Sequence, residues 1–431
     1  MSLPFALLKL KKPLFLILLL SVLIRPAGIS AQSPVYGMHA DLPLVLAIQQ
    51  GITLSEQIDL IKQTGTQMIR IRLSWDEIEK THGQYTWGPT DDLLSRLKQS
   101  GLQPLAIIRD TPVWAKADLN CGGILTPDKI CPPDIALWKS FITQIVERYG
   151  FQTGGLAYIR YWEIWNEPNG SLMFTGTVDD YFNLLKEAAP IIHAVDPGSK
   201  VLIGGITHRG IINASGSSWI DQLLQKPGII NAFDIFNFHL YGVVDNPENT
   251  FVKAKSLLGL YGLSSKPIWV TETNPGESSE AMLAAGMADW HRRIFNQSAE
   301  AVFYFTLPNW CQQDTTSDPQ GCDQNVYTTE RRTGGLVTAA DLRSHTLAYA
   351  AYQAMVIPAV SPTPTSSPSP TPSPPSKAGD ANGDNQVNGA DYLIWLAHYG
   401  QMAIGTQNGD FNNDGRVNGQ DYLIWLANYG R

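Results

Sequence analysis

Residues 161–169 read Tyr-Trp-Glu-Ile-Trp-Asn-Glu-Pro-Asn, an apolar run that ends in a carboxylate and a proline. Proline cannot donate a hydrogen bond to a sheet, so Pro168 marks the end of a strand and puts Glu167 at its carboxyl edge. Residues 267–274 read Pro-Ile-Trp-Val-Thr-Glu-Thr-Asn and bring Glu272 to the end of another strand in the same way. The sequence therefore predicts two glutamates at the carboxyl ends of two strands.

Short apolar runs alternate with helical patterns through residues 35–357. The predicted strands are 36–40, 67–73, 104–109, 158–166, 201–206, 234–240, 268–272 and 301–306. Several are apolar on both faces, as parallel strands covered by helices must be. Eight such units, with a closing helix at 347–355, predict an α/β fold, the (β/α)8 TIM barrel. The alternative is a doubly wound open sheet, which the lack of a Gly-rich loop after the first strand disfavours.

Two strand-end carboxylates that face each other across a barrel mouth are suited to cleaving a glycosidic bond. One gives a proton to the leaving oxygen, and the other attacks the anomeric carbon or activates water. The alternative is a structural role in which both are salt-bridged to Arg70 or Arg72. Glu163 shares the strand parity of Glu167 one pleat deeper, and we interpret it as a buried structural carboxylate.

The motif Trp-Asn-Glu-Pro-Asn at 165–169, together with Glu272, resembles the clan of retaining (β/α)8 glycoside hydrolases that includes families 5 and 39. Segments 69–75, 83–87 and 335–337 are similar to other parts of those enzymes, so the resemblance covers nearly all of the body. It implies that Glu167 is the acid/base and Glu272 the nucleophile, and that Asn166 binds the sugar 2-hydroxyl. It also implies that Arg70 keeps the nucleophile ionised.

Further candidate substrate-binding residues come from strand ends. His239 and Tyr241 share one parity with Asn237 on strand six, where the resemblance implies a His/Tyr pair. His39 closes strand one. Relatives often carry a sugar-stacking Trp on strand eight, where this chain has Tyr304, with Trp310 as a possible substitute.

The first 31 residues have the order of a secretory signal peptide. Lysines precede an apolar run over 14–24, and small residues lead to a predicted cleavage after Ala31. The run is too short to span a bilayer, although an uncleaved anchor is the alternative. We therefore expect a secreted protein with no membrane span after cleavage.

An exported chain can form disulfides, and the four cysteines lie in two close pairs, Cys121 with Cys131 and Cys311 with Cys322. Each pair is expected to close one loop, although four cysteines allow three connectivities and zinc is a weak alternative. The formal net charge of −8 offers no basic face for a nucleic acid.

Residues 361–376 contain only proline, serine and threonine, which predicts an extended linker. We assign the body to 35–357, the linker to 358–377 and a tail domain to 378–431. The tail repeats Asp-Tyr-Leu-Ile-Trp-Leu-Ala at 391–397 and 421–427. Each copy follows alternate oxygen-bearing residues at the spacing of a calcium loop, so we expect two structural Ca²⁺ ions and no catalytic cofactor. The predicted ligands are Asp380, Asn382, Asp384, Gln386, Asn388 and Asp391 in the first loop, and Asp410, Asn412, Asp414, Arg416, Asn418 and Asp421 in the second, with Gln386 and Arg416 acting through their carbonyls.

The tail resembles a type I dockerin, which implies a cohesin domain as partner, with attachment to a cell surface as the alternative. Position 6 of the loop, usually glycine, is Asn385 in the first copy, so we expect weaker calcium binding there. The predicted function is a secreted retaining glycosidase of a β-linked polysaccharide or oligosaccharide, with the sugar left open among xylan, glucan, mannan and mixed plant glycans. The competing class is a non-catalytic carbohydrate-binding or adhesion protein on a barrel scaffold.

Overall fold

Eight strands form one parallel sheet close to the predicted positions in the computed structural model. They are β1 Val35–His39, β2 Met68–Ser74, β3 Gln103–Arg109, β4 Tyr161–Asn166, β5 Lys200–Gly205, β6 Phe236–Tyr241, β7 Ile268–Asn274 and β8 Ala301–Tyr304. The strand order is β5-β4-β3-β2-β1-β8-β7-β6. Parallel bridges from Leu202 to Ile235 and from Ile206 to Phe238 join β5 to β6 and close the sheet. The TIM barrel is confirmed, and the open-sheet alternative is wrong.

The structure describes residues 34–40, 42, 51–122, 128–153, 158–242, 246–276, 280–307, 336–337, 345–357, 377–399, 401 and 405–430. The predicted signal peptide, nearly all of the linker, Trp310, Cys311 and Cys322 lie outside these ranges. The chain divides into two units, Met1–Ala359 and Val360–Arg431. In the described part, no helix combines the length and apolar character needed to cross a bilayer.

Helices cover the outside of the barrel. They are α1 Leu54–Gln63, α2 Trp75–Ile78, α3 Gly88–Ser100, α4 Ile135–Tyr149, α5 Val178–Val195, α6 His208–Ile212, α7 Trp219–Leu224, α8 Pro247–Leu260, α9 Glu280–Asn296 and α10 Leu347–Val356. The helix α4 shows how the sequence specifies them. Asp134 accepts hydrogen bonds from the backbone N–H groups of Ala136 and Leu137 and so begins the helix. The helix then buries Trp138, Phe141, Ile142, Ile145 and Tyr149, the spacing of one face.

The barrel interior has an apolar layer below a polar one. The apolar layer consists of Met68, Leu105, Leu202, Ile235, Trp269, Ala301 and Phe303. Two residues further along their strands, Arg70 follows Met68 and Asn237 follows Ile235, and both are fully buried. Because side chains alternate along a strand, this step keeps them inside the barrel and moves them one pleat toward its carboxyl end. The polar layer is therefore the floor of the barrel mouth.

A disulfide between Cys121 and Cys131 closes the connection from β3 to α4. Lys116 Nζ donates to the carbonyl of Cys121 at 2.5 Å and pairs with Asp128 at 2.7 Å inside this loop. The expected loop-closing pair is confirmed here.

The second unit contains two similar helices, α11 Gly389–His398 and α12 Gly419–Asn428. They share a small core formed by Ala381, Val387, Trp395, Phe411, Val417 and Trp425. Trp395 Nε1 donates to the carbonyl of Asn418 at 3.0 Å, and Trp425 Nε1 donates to the carbonyl of Asn388 at 2.9 Å. Each repeat thus bonds to the loop of the other.

Candidate active site

Glu167 reaches the barrel mouth through a break in the side-chain alternation of β4. Ile164 and Trp165 both pack in the outer core against the helices, whereas Asn166 contacts Arg70 inside the barrel. The break occurs at Trp165, which has a left-handed φ of 70°, and Glu167 follows with a φ of 46°. Left-handed backbone at bulky residues is rare and concentrates at functional sites. The prediction that Glu163 and Glu167 share one strand parity is therefore wrong for this segment.

Glu272 is turned into the barrel by a bulge in β7. Phe238 pairs with Val270, but His239 pairs with Glu272, so Thr271 is an extra residue on β7. Strict alternation from the inward-facing Trp269 would point Glu272 outward. The bulge re-aims it, a role that bulges often have beside active sites.

Arg70 connects the polar side chains of the mouth. Its side chain is fully buried and forms two hydrogen bonds with Glu163, from Nε at 2.7 Å and from Nη2 at 2.9 Å. Its Nη1 donates to Glu272 Oε1 at 2.6 Å, and its Nη2 donates to Asn166 Oδ1 at 2.8 Å. Glu163 also accepts from the Gly205 backbone N–H and from Asn237. Glu163 has no exposed surface, which agrees with its interpretation as a buried structural carboxylate.

Positive and hydroxyl groups surround Glu272. Tyr241 donates its hydroxyl hydrogen to Glu272 Oε2 at 2.6 Å, and His39 Nδ1 lies 2.9 Å from Arg70 Nη1. Burial by itself would raise the pKa of Glu272, but the charges of His239 and Arg70 outweigh it and hold that pKa well below its usual range. Arg72 pairs with Asp110 and Glu77 instead of with either candidate glutamate.

Glu167 lies beside Glu272 and shares a histidine with it. His239 Nδ1 is 2.7 Å from Glu167 Oε1 and 3.5 Å from Glu272 Oε2. One carboxylate oxygen of each glutamate and a His239 nitrogen all lie within 4.8 Å of one another. The side chains of Glu167 and Glu272 are 20% and 11% exposed, against 0% for Glu163, so only the first two can meet a substrate.

The same three side chains have the donor types of a metal site. The Arg70 guanidinium contacts Glu272 at 2.6 Å, and its positive charge opposes a cation at that carboxylate. The arrangement fits two carboxylates that work as a pair better than it fits a metal centre.

Tyr304 does not line the mouth, and its prediction as a sugar platform is wrong. It is fully buried, and its ring lies 5.2 Å from that of Tyr352 and 6.1 Å from that of His291, both on covering helices. The reason is alternation, because Ala301 and Phe303 face the barrel interior and their neighbours face outward.

Phe305, the next residue, takes the place at the mouth. It is half-buried, and its ring centre lies 5.2 Å from that of His39 and 6.1 Å from that of Tyr241. The Phe305–Thr306 peptide bond is cis. The sequence pattern did not indicate Phe305, because the predicted strand ran through 306, whereas β8 ends at Tyr304.

The two loops of the second unit have the backbone that calcium loops need. Asp380 accepts from the N–H groups of Gly383 and Asn385, and Asp391 accepts from those of Ala381, Asn382 and Asn388. The second loop repeats this arrangement around Asp410 and Asp421. Position 6 is left-handed in both copies, with φ of 65° at Asn385 and 83° at Gly415. The Asp and Asn oxygens of these loops are a donor set that fits Ca²⁺.

Comparison with known proteins identifies both units. Residues 31–305 match the cellulase family, glycosyl hydrolase family 5. The chain belongs to glycosyl hydrolase family 5. This match confirms the predicted glycoside hydrolase class of the barrel. Residues 378–429 match the dockerin type I domain, which confirms that resemblance.

Individual relatives are more distant. A β-xylosidase from Caldicellulosiruptor saccharolyticus is 27% identical over 181 residues, which cover 38% of this chain and 34% of that protein. The chain therefore spans about a third of that relative.

Solved structures share the barrel fold. A family 39 glycoside hydrolase from Bacteroides cellulosilyticus WH2 has a TM-score of 0.55 at 20% identity, covering 74% of this chain and 63% of that one. A family 39 β-xylosidase from Caulobacter crescentus has a TM-score of 0.53 at 20% identity, covering 74% and 70%.

Proposed function

We propose that this glycosidase cleaves a β-linked glycan by double displacement with retention of configuration. Glu272 is the nucleophile and Glu167 the acid/base. The observation that carries the proposal is the approach of one Glu167 oxygen and one Glu272 oxygen to within 4.8 Å. Retaining enzymes hold their carboxylates about 5–5.5 Å apart, whereas inverting enzymes need about 6.5–9.5 Å to fit a water between them.

The surroundings of each glutamate support its role. Arg70 and Tyr241 hydrogen-bond Glu272 and hold its carboxylate ionised and in place for attack. His239 Nδ1 and Glu167 Oε1, 2.7 Å apart, share one proton that is available to the leaving oxygen.

The reaction has two steps. In the first, a Glu272 oxygen bonds to the anomeric carbon while Glu167 gives its proton to the glycosidic oxygen, and the aglycone leaves as an alcohol. In the second, Glu167 takes a proton from water, whose oxygen bonds to the anomeric carbon and releases Glu272. The two inversions give net retention.

Two neighbours are proposed to position the sugar. Because Arg70 donates to Asn166 Oδ1, the amide nitrogen of Asn166 is turned away from Arg70, and we assign it to the sugar 2-hydroxyl. The half-buried ring of Phe305 offers an apolar face to the sugar ring. The β-xylosidase relative makes β-linked xylo-oligosaccharides the first substrates to test.

For the second unit we propose two structural Ca²⁺ ions and a cohesin-type domain as partner, which together with the signal-peptide pattern favours secretion. The alternating Asp and Asn ligands and the left-handed backbone at position 6 of each loop support the calcium assignment.

The test of the mechanism uses Glu272→Ala, Glu167→Ala and a control, Glu187→Gln, at a surface carboxylate that pairs with Lys139. We expect Glu272→Ala to abolish turnover without loss of the fold, measured by circular dichroism. Glu167→Ala should slow substrates with poor leaving groups far more than activated aryl glycosides, and Glu187→Gln should match wild type. Proton NMR of the first product formed should show the β-anomer. An α-anomer, or full activity of Glu272→Ala, would refute the mechanism.

A further inference from the structure

A second arginine, Arg109, lies at the barrel mouth outside the proposed catalytic machinery. It is the last residue of β3, four residues after Leu105 of the interior apolar layer. The pairing of β3 with β2 is continuous from Gln103 to Arg109, so the alternation that points Leu105 inward also points Arg109 inward. Arg109 therefore stands two pleats above the apolar layer, at the open end of the barrel.

Asp110 fixes the orientation of this arginine. Its carboxylate is fully buried and accepts from Arg109 Nε at 2.8 Å and from Arg72 Nη1 at 2.9 Å. Burial alone would raise the pKa of Asp110, but the two guanidinium groups outweigh it and lower that pKa. Asp110 also has a left-handed φ of 69°, a conformation that costs energy at a non-glycine residue. The backbone is strained at the residue that holds both arginines.

Arg109 keeps an unused pair of donors. Only its Nε is bonded, to Asp110, while its terminal nitrogens Nη1 and Nη2 make no hydrogen bond within the described part of the chain. They are not buried, since the side chain is 17% exposed and neither atom is among the buried groups without a partner. A guanidinium that is clamped on one edge and open on the other presents two parallel N–H groups, which match a carboxylate.

The open donors lie close to the proposed acid/base. Ile108 pairs with Ile164 on the neighbouring strand β4, so Arg109 ends the strand next to the one that leads to Asn166 and Glu167. A glycan whose scissile bond is at Glu167 can thus bring a neighbouring unit over Arg109.

We propose that Arg109, oriented by Asp110, binds the carboxylate of a uronic acid unit next to the sugar that is cleaved. The enzyme would then prefer acidic glycans, such as backbones with glucuronic acid substituents, over neutral ones. The inference rests on the proposed glycosidase mechanism and adds a substrate class to it.

The test compares two substrates that differ only at the carboxylate. One is a uronate-bearing oligosaccharide with a backbone that the enzyme cleaves, and the other is its carboxyl-reduced form, in which CO₂⁻ becomes CH₂OH. A charge-assisted bidentate contact predicts that wild-type kcat/KM is about 10- to 100-fold higher for the uronate form. Arg109→Gln should bring this ratio to about one, and Arg109→Lys should retain part of it because a lysine keeps the charge without the fork.

The control variant is Arg96→Gln, which breaks a surface pair with Asp92 and should leave the ratio at its wild-type value. A wild-type ratio of one or less, or an Arg109→Gln ratio equal to wild type, would overturn the proposal. Failure of the catalytic proposal would look different, because neither substrate would then be cleaved.

Binding is measured separately, by calorimetry of D-glucuronic acid and D-glucose with Glu272→Ala. We expect wild-type Arg109 in this background to favour the acid, and addition of Arg109→Gln to remove that preference. Equal binding of the two sugars would overturn the uronate site even without turnover.

Discussion

Replacing Gly205 by alanine should misplace His239 and slow the reaction. A Cβ at position 205 would lie 2.1 Å from His239 Nε2, about 1.3 Å short of the 3.4 Å at which ordinary contact begins. The backbone groups of Gly205 that bind Glu163 and Glu167 are kept in the alanine variant. The expected change is therefore a shift of the His239 ring by about 1 Å, which removes its 2.7 Å contact with Glu167.

A 1 Å misplacement of a catalytic group can cost about 10²-fold in rate, or about 2.7 kcal/mol of transition-state stabilisation. We expect Gly205→Ala to lower kcat/KM by that factor on an aryl glycoside. The control is Gly88→Ala at the start of α3, where an added Cβ meets no atom within 4 Å. Thermal unfolding of both variants shows whether the fold is retained.

A double-mutant cycle separates this explanation from general damage. If Gly205→Ala acts through His239, it should cost less than about 3-fold when introduced into His239→Ala, because the effects of coupled residues do not add. A loss of the same 10² in that background, or wild-type activity of the single variant, would refute the reasoning.

Three further outcomes are expected. Burial lowers the pKa of His239, but the charges of Glu272 and Glu167 outweigh burial and raise that pKa above its usual value. His239 therefore stabilises the fold below about pH 6.5 and loses that contribution as the pH rises through its folded pKa. His239→Gln should lower the unfolding temperature more at pH 5.5 than at pH 9, and an equal loss at both pH values would contradict the assignment. Calorimetry of the whole chain should find about two bound Ca²⁺ per molecule, and Asp380→Ala should remove one of them. Chelation of calcium should lower the melting temperature of the dockerin, whereas a melting temperature that does not depend on calcium would exclude structural calcium. Replacing Cys121 and Cys131 by serine should lower the free energy of unfolding of the barrel, measured in urea, by about 2–3 kcal/mol. A reducing agent should have the same effect on the wild type. A urea midpoint that does not change on reduction would contradict this expectation.

The strands could be predicted from the sequence because burial on both faces leaves continuous apolar runs ended by proline or polar residues. The two glutamates could be found because each follows such a run. Their orientation could not be predicted, because a left-handed Trp165 and an extra residue at Thr271 both break the alternation on which parity depends.

Tyr304 shows that an error in the predicted end of a strand also changes which side chain faces the site. The predicted strand eight ran to residue 306, but β8 ends at Tyr304. The ring of Tyr304 therefore faces the helices, and the ring at the barrel mouth is that of Phe305. The contacts of Arg70 with Glu163, Glu272 and Asn166 join three strands, and no pattern within a single strand encodes them.

The crossed indole contacts of the second unit make its two repeats interdependent. Trp395 bonds to Asn418, and Trp425 bonds to Asn388, and each of these asparagines also begins a helix of its own repeat. A single repeat would expose its tryptophan to water. It would also lose the indole N–H that donates to the carbonyl of the asparagine at the start of its helix. We therefore expect the two repeats to fold only together, so that a chain cut between them yields two unstructured peptides and not two weaker binding domains.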